Sequence, residues 1–256
     1  MVPSLAPLTT TRLEKAAHDN GFDLAIGEER GWLEFGSNHA PLRVWLTMEH
    51  DDRPSAAFSR ADVMRALDGH GTEVRHDLPP AALAARAVAD FAGLHEMLRR
   101  AFQLARTLPD ELLHVFQGKT AGLPRATEAE RLVLQRVGQD VFRSGLLEYW
   151  EGQCAVTGLA VPELLRASHI KPWADCETDA ERLDVFNGLL LAPQLDALFD
   201  RGLVTVEDAG EVRISSRLDA TARAVLGLAQ VPTVRGLGER HRVYLRWHRD
   251  RVFRAS

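Results

Sequence analysis

Residues 154–173 read CAVTGLAVPELLRASHIKPW and residues 187–202 read NGLLLAPQLDALFDRG, and these two stretches decide how the C-terminal half of the chain is understood. His169 ends the strand-like run Leu164-Leu165-Arg166-Ala167-Ser168. Asn187-Gly188 is a turn signal, and Leu189-Leu190-Leu191 behind it suits a buried strand or the entry to a helix. Asp196 and Asp200 lie four apart in the segment Pro193 to Asp200, so a helix there turns both carboxylates to one side. A histidine, an asparagine and a carboxylate brought together in an apolar frame can hold a divalent ion and activate water.

Working outward, Leu203 to Val206 and Glu211 to Ile214 flank Asp208-Ala-Gly210 and read as a hairpin. Upstream, Thr127-x-x-Glu130 is a capping box opening a helix with Val133, Leu134, Val137 and Val141 down one face and Arg131, Arg136 and Arg143 elsewhere. Gly118 to Ala126, with Gly122 and Pro124, reads as a linker, and the domain boundary is set there: 1–120 and 121–256, the second with its core at 154–210. In the first part, Thr11 to Asn20 reads as a helix stopped by Gly21. Trp32 to Phe35 and Leu42 to Met48 read as paired strands around the turn Gly36 to Pro41. Pro79 to Arg106 reads as one long helix with Leu83, Ala87, Phe91, Leu94, Leu98 and Phe102 on a face, followed by a short helix from Pro109 to Gln117.

Composition bounds the rest. With 256 residues, 45% hydrophobic and 26% charged, the chain has an ordinary globular balance. It has no run of about 18 apolar residues to span a membrane. Met1 to Thr11 lacks the basic head and apolar core of a secretory signal. Two cysteines, Cys154 and Cys176, are too few for a disulfide framework, so the cytoplasm is the expected compartment. Net charge is −5, which does not by itself suggest a nucleic-acid binder. Its distribution says more: residues 1–120 carry 13 basic against 17 acidic side chains, whereas Arg235 to Arg254 carries seven arginines against Glu239 and Asp250. That strip suits phosphate binding, and equally suits the solvated face of a helix.

The ordered string Cys154-x-x-Thr157-Gly158, His169-Ile-Lys-Pro-Trp173, Asn187-Gly-Leu-Leu-Leu191 and Leu198-Phe-Asp-Arg-Gly202 resembles the HNH endonuclease family, in a bacterial branch with the same pattern. Tyr244 to Phe253 is also similar to that branch. The resemblance spans roughly Thr127 to Phe253 and is strongest between Cys154 and Gly202; four motifs in order are far more specific than any lone residue. It implies an HNH ββα-metal nuclease domain with flanking helices; with the helices and strands read in the first part, the expected chain is α+β, an N-terminal α+β domain followed by that nuclease domain.

The resemblance further implies residue roles. His169 becomes the general base, its unperturbed pKa lying near neutrality. Asn187 either orients the histidine loop or touches the metal. Asp196 stands nine residues after Asn187, where the family's last histidine usually falls. A carboxylate there favours Mg²⁺ or Mn²⁺ over Ni²⁺ or Zn²⁺. Ser168 occupies the place of an acidic ligand in several relatives, although a hydroxyl is a poor one. Asp200 reads as structural rather than as a second ligand. Lys171 and Arg201 flank the site as phosphate contacts, with Arg246, Arg249 and Arg251 as further DNA contacts. Trp173 reads as packing the loop after His169, and the two cysteines as small buried residues. The implied partner is double-stranded DNA, cut by a restriction or defence enzyme. Because one site makes one nick, a homodimer is a possible form. The alternatives are a DNA-binding module that has lost turnover, supported by Ser168 and Asp196, and a toxin-type nuclease held by an immunity partner. Residues 1–120 read as a specificity or regulatory element.

Overall fold

The first hundred residues alternate apolar and polar side chains over short runs, and they build a sheet. The computed structural model describes residues 5–67, 69–74, 78–124, 127–228 and 233–256. By chain contacts it divides into two units, Met1–Leu108 and Pro109–Ser256. In the first, helix α1 (Pro7–Asp19) precedes β1 (Leu24–Glu29), β2 (Trp32–Gly36), β3 (Val44–Met48), β4 (Pro54–Phe58), α2 (Ala61–Ala66), β5 (Thr72–Val74), β6 (Ala84–Ala87) and α3 (Phe91–Thr107). The strands form an antiparallel sheet in the order β1-β2-β3-β4-β6-β5. Period-two alternation sends Trp32, Trp45, Ala57, Val74, Ala85 and Ala87 to one side, where they form a buried cluster with Leu78 and Ala82 against it. Leu33, Phe35, Val44, Leu46 and Phe58 take the other side, towards α1 and α3. The expected pairing of β2 with β3 is present.

The long helix expected over Pro79 to Arg106 is corrected. Its first part is β6, which pairs with β4 from Ser55↔Ala87 to Phe58↔Ala84. Leu83, assigned to the buried face, is 59% exposed. Alanine by itself favours helix over strand, so pairing with β4 and β5 overrides the local propensity here. The helix starts only at Phe91, where the carboxylate of Asp90 accepts the Gly93 N–H at 2.8 Å as an N-cap.

In the second unit, α4 (Pro109–Thr120) and α5 (Glu128–Tyr149) lead to β7 (Arg166–His169), α6 (Asp179–Arg182), β8 (Gly188–Leu191), α7 (Pro193–Asp200), the hairpin β9 (Val204–Val206) and β10 (Val212–Ile214), α8 (Ala220–Val225) and α9 (Glu239–Arg251). The division therefore falls before α4, some ten residues ahead of the expected boundary. The reason is packing: Gly145 of α5 leaves a notch that the Leu112 side chain of α4 fills. Arg125 and Ala126 of the expected linker, and His76, lie outside the described residues. The capping box at Thr127 is formed, with Glu130 accepting the Thr127 N–H at 2.8 Å. The buried face of α5 is Gly138, Val141, Phe142, Gly145, Leu146 and Tyr149, displaced towards the C-terminus from the expected one, and Val133 is 52% exposed.

Strands β7 and β8 pair antiparallel, with His169 opposite Gly188, and α7 packs on β7. The arrangement is two strands and a helix, with α5 behind them and the expected hairpin β9–β10 after them.

Candidate active site

Each side chain at this site is held by a local reason. The turn before β7 is organised by a single thiol: Cys154 Sγ accepts the N–H groups of Thr157 at 3.4 Å and Ala192 at 3.3 Å. It thereby joins the start of the motif region to the end of β8. Arg143 of α5 donates to the carbonyls of Leu165 (2.6 Å) and Pro162 (2.8 Å), fixing the chain as it enters β7.

His169 sits at the end of β7, half-buried. Its Nε2 lies 2.9 Å from the carbonyl oxygen of Arg182. A carbonyl only accepts, so Nε2 carries the proton and Nδ1 is the nitrogen with a free lone pair. The imidazole stacks on Phe142, with centroids 3.8 Å apart and planes 16° off parallel, and Trp173 meets it edge-on at 5.6 Å. Burial pulls its pKa down to about 4, only partly opposed by the Arg182 carbonyl. It is a neutral base throughout the physiological range.

Asn187 closes a short 3-10 turn and is fully buried. Its Oδ1 accepts the Lys171 N–H at 2.8 Å, and its Nδ2 donates to the Lys171 carbonyl at 3.1 Å, with Cys176 Sγ and the Glu181 carbonyl each at 3.3 Å. The amide is spent on the loop that follows His169. The preceding Asp184 anchors the same turn, capping the Phe186 N–H and accepting from Arg240 (2.9 Å) and Tyr244 (3.1 Å) of α9.

Ser168, His169, Asp196 and Asp200 line one cleft of about 610 Å³, together with Arg166, Phe142 and residues of α5 and α9. Ser168 is 2% exposed, and its hydroxyl donates to Asp200 Oδ1 at 3.3 Å. Asp200 is exposed as a residue, yet its carboxyl pKa is raised, first by partial desolvation and then by the charge of Asp196 one turn away. Two carboxylates one helical turn apart in one cleft form a donor pair suited to a hard cation. Among the described residues no group of three or more His, Cys, Asp or Glu side chains converges as a ready-made metal cluster. Mg²⁺ is commonly held by one or two carboxylates, with water and substrate phosphate completing its shell, so a pair fits it.

The basic residues divide. Lys171 is bound to Glu181 at 2.7 Å and is only 13% exposed, so its charge is committed within the loop. Arg249 is tied to Val206 O (2.7 Å) and Asp208 (2.6 Å), fastening α9 to the β9–β10 hairpin. Arg201 reaches only the Ala197 carbonyl, at 3.4 Å. Arg246 and Arg251 are exposed. None of these five lines the cleft. Arg166 does line it, exposed and with no side-chain hydrogen bond or ion pair to another described residue; an arginine in a strand carries no signal of its own in the sequence. Phe142 was missed because the apolar face of α5 was ended one residue early, and the Arg182 carbonyl because a backbone atom leaves no trace in residue identity. Trp173 packs as expected, its ring over Gly138 of α5.

No curated protein matches the chain. Residues 154–207 match the family model described as HNH endonuclease, a span that begins at Cys154 and holds His169, Asn187, Asp196 and Asp200. With two paired strands and a helix in that span, the C-terminal half of the chain contains a domain of the HNH endonuclease family.

Proposed function

We propose that this chain is a metal-dependent endonuclease that hydrolyses phosphodiester bonds of double-stranded DNA, with a bacterial restriction or defence role, and that His169 is its general base. The observation that carries the reading is the His169 contact with the Arg182 carbonyl, which accepts a hydrogen bond from Nε2 and so leaves Nδ1 without a proton, in a residue lining the same cleft as Asp196 and Asp200. On this reading Nδ1 takes a proton from water as the water oxygen bonds to phosphorus. The P–O3′ bond breaks, and the departing oxygen is protonated by solvent. Asp196 and Asp200 would hold a divalent cation, Mg²⁺ or Mn²⁺, with the Ser168 hydroxyl orienting Asp200 rather than ligating. When bound, that ion would offset charge on the phosphate and the leaving oxygen. Asn187 acts through the loop it clamps, and Arg166 offers its guanidinium to a phosphate at the cleft.

The test is nicking of supercoiled plasmid by the full chain with Mg²⁺, Mn²⁺ or EDTA. His169→Ala should lower the rate by about 10²–10⁴ while DNA affinity stays within a few-fold. Cutting at the wild-type rate by the variant removes His169 from the chemistry. The lack of a three-donor cluster among the described residues favours a second reading, a DNA-binding module without turnover. DNA binding with no metal-dependent nicking by the wild type would select it.

A further inference from the structure

We propose that Phe142 is a positioning residue for His169: stacked on the imidazole and seated with its tip against Gly188, its ring sets the plane in which the base works. This rests on His169 acting as general base. The two rings lie 3.8 Å apart and nearly parallel. At its tip, Phe142 Cζ lies 2.6 Å from where a Cβ on Gly188 would stand, so only glycine at that position leaves the ring its place. Gly188 is the cross-strand partner of His169, which puts both contacts of the ring at one rung of the β7–β8 ladder. One turn earlier on α5, Gly138 makes room for Trp173, whose ring closes the imidazole's edge. Helix α5 thus fixes the imidazole twice, once directly and once through Trp173.

The flatness of the ring is the point. An aliphatic side chain of similar volume fills the space but allows the imidazole to rock about its χ2 axis. A parallel ring together with the Nε2 contact to Arg182 O leaves one orientation, and with it one direction for the Nδ1 lone pair. Misplacing a catalytic group by about 1 Å can cost on the order of 10²-fold in rate.

The experiment compares Phe142→Leu in the full chain with Leu146→Ala, which removes a neighbour that also abuts Gly188 but is not in ring contact with His169. Phe142→Met serves if the leucine variant does not fold. The expected result is a loss of about 10–100-fold in kcat for the Phe142 variant, with KM and DNA affinity unchanged, and a much smaller loss for Leu146→Ala at comparable melting temperature. Equal losses in the two variants, or wild-type kcat in Phe142→Leu, overturn the proposal while leaving His169→Ala to judge the base itself. NMR of the His169 ring decides even without turnover. Wild type should show imidazole protons shifted upfield by the facing ring and the Nε2-protonated tautomer, and the upfield shift should vanish in Phe142→Leu. Ordinary ring-proton positions in the wild type would also overturn it.

Discussion

Asp196 occupies the first turn of α7, where a negative charge is favoured by the helix dipole even without a ligand. What sets it apart is Asp200 one turn on, whose carboxyl it makes harder to ionise. A bound cation relieves that repulsion, so Asp196→Ala should lower activity and raise the Mg²⁺ or Mn²⁺ concentration needed for half-maximal nicking. Asp196→His should move the preference towards Ni²⁺ or Zn²⁺, which imidazole suits better. Identical metal titrations for wild type and both variants would exclude Asp196 as a ligand. A second prediction at this scale concerns protons. His169 and His248 are both pulled down to about 4, chiefly by burial. His248 is held by Thr205 at 2.9 Å and Phe199 O at 3.1 Å, stacked on the Phe199 ring. The unfolded chain takes up these protons near pH 6.5, whereas the folded chain refuses them until about 4. Stability is therefore level above about pH 7 and falls as pH drops through this window. Thermal melts from pH 7.5 to 4.5 should trace that fall. His248→Gln, which keeps hydrogen-bonding capacity without titrating, should make it shallower; an unchanged slope would discount His248.

At the level of elements, α3 and β6 divide at Asp90. Asp90→Ala removes the acceptor for Gly93 N–H and should destabilise the chain by about 1 kcal/mol, read by urea unfolding. A change below a few tenths would mean the helix start is held by packing alone. This same boundary is where the sequence was hardest to read. Ala84 to Ala87 carries an apolar pattern that serves a helix or a strand, and the choice is made by β4, thirty residues away in the chain. The nuclease elements were legible because their signals are local: Asn187-Gly188 for the turn, Pro193 for the start of α7, Thr127 and Glu130 for the start of α5. The pairing of Lys171 and of Arg249 was not legible, for the opposite reason. Their charges are consumed by Glu181, and by Glu207 and Asp208, partners that only the folded chain brings close. The place of His169 at the end of a strand was readable from its motif, but its tautomer depends on the Arg182 carbonyl.

For the molecule as a whole, the assignment of α4 to the second unit changes where the chain should be cut. A fragment 109–256 keeps Leu112 in the notch at Gly145 and should stay soluble and retain metal-dependent nicking. A fragment 124–256 leaves that notch and its apolar surround open and should aggregate or melt lower. On a panel of DNAs of differing modification, we expect the 109–256 fragment to lose discrimination that the full chain has. Unaltered preference would instead give residues 1–108 a regulatory or partner-binding role. Arginine replacement should likewise avoid Arg249. Arg246→Ala with Arg251→Ala should weaken binding to all DNAs alike and flatten its salt dependence, whereas Arg249→Ala should chiefly loosen the hairpin, visible as a lower melting temperature. A salt slope unaffected by the double replacement would take α9 out of the DNA interface.

Both thiols of the chain belong to the second unit, and each is only 3% exposed. Cys154 is engaged by two backbone N–H groups, and Cys176 is pushed up to about 11, chiefly by burial. A bulky disulfide reagent can reach neither sulfur until the structure around it parts. The rate at which native protein is labelled therefore times the spontaneous opening of the nuclease unit, and the first unit, having no cysteine, contributes no signal. With no residue added to the chain, it carries a clock that starts only when its HNH-bearing half comes apart.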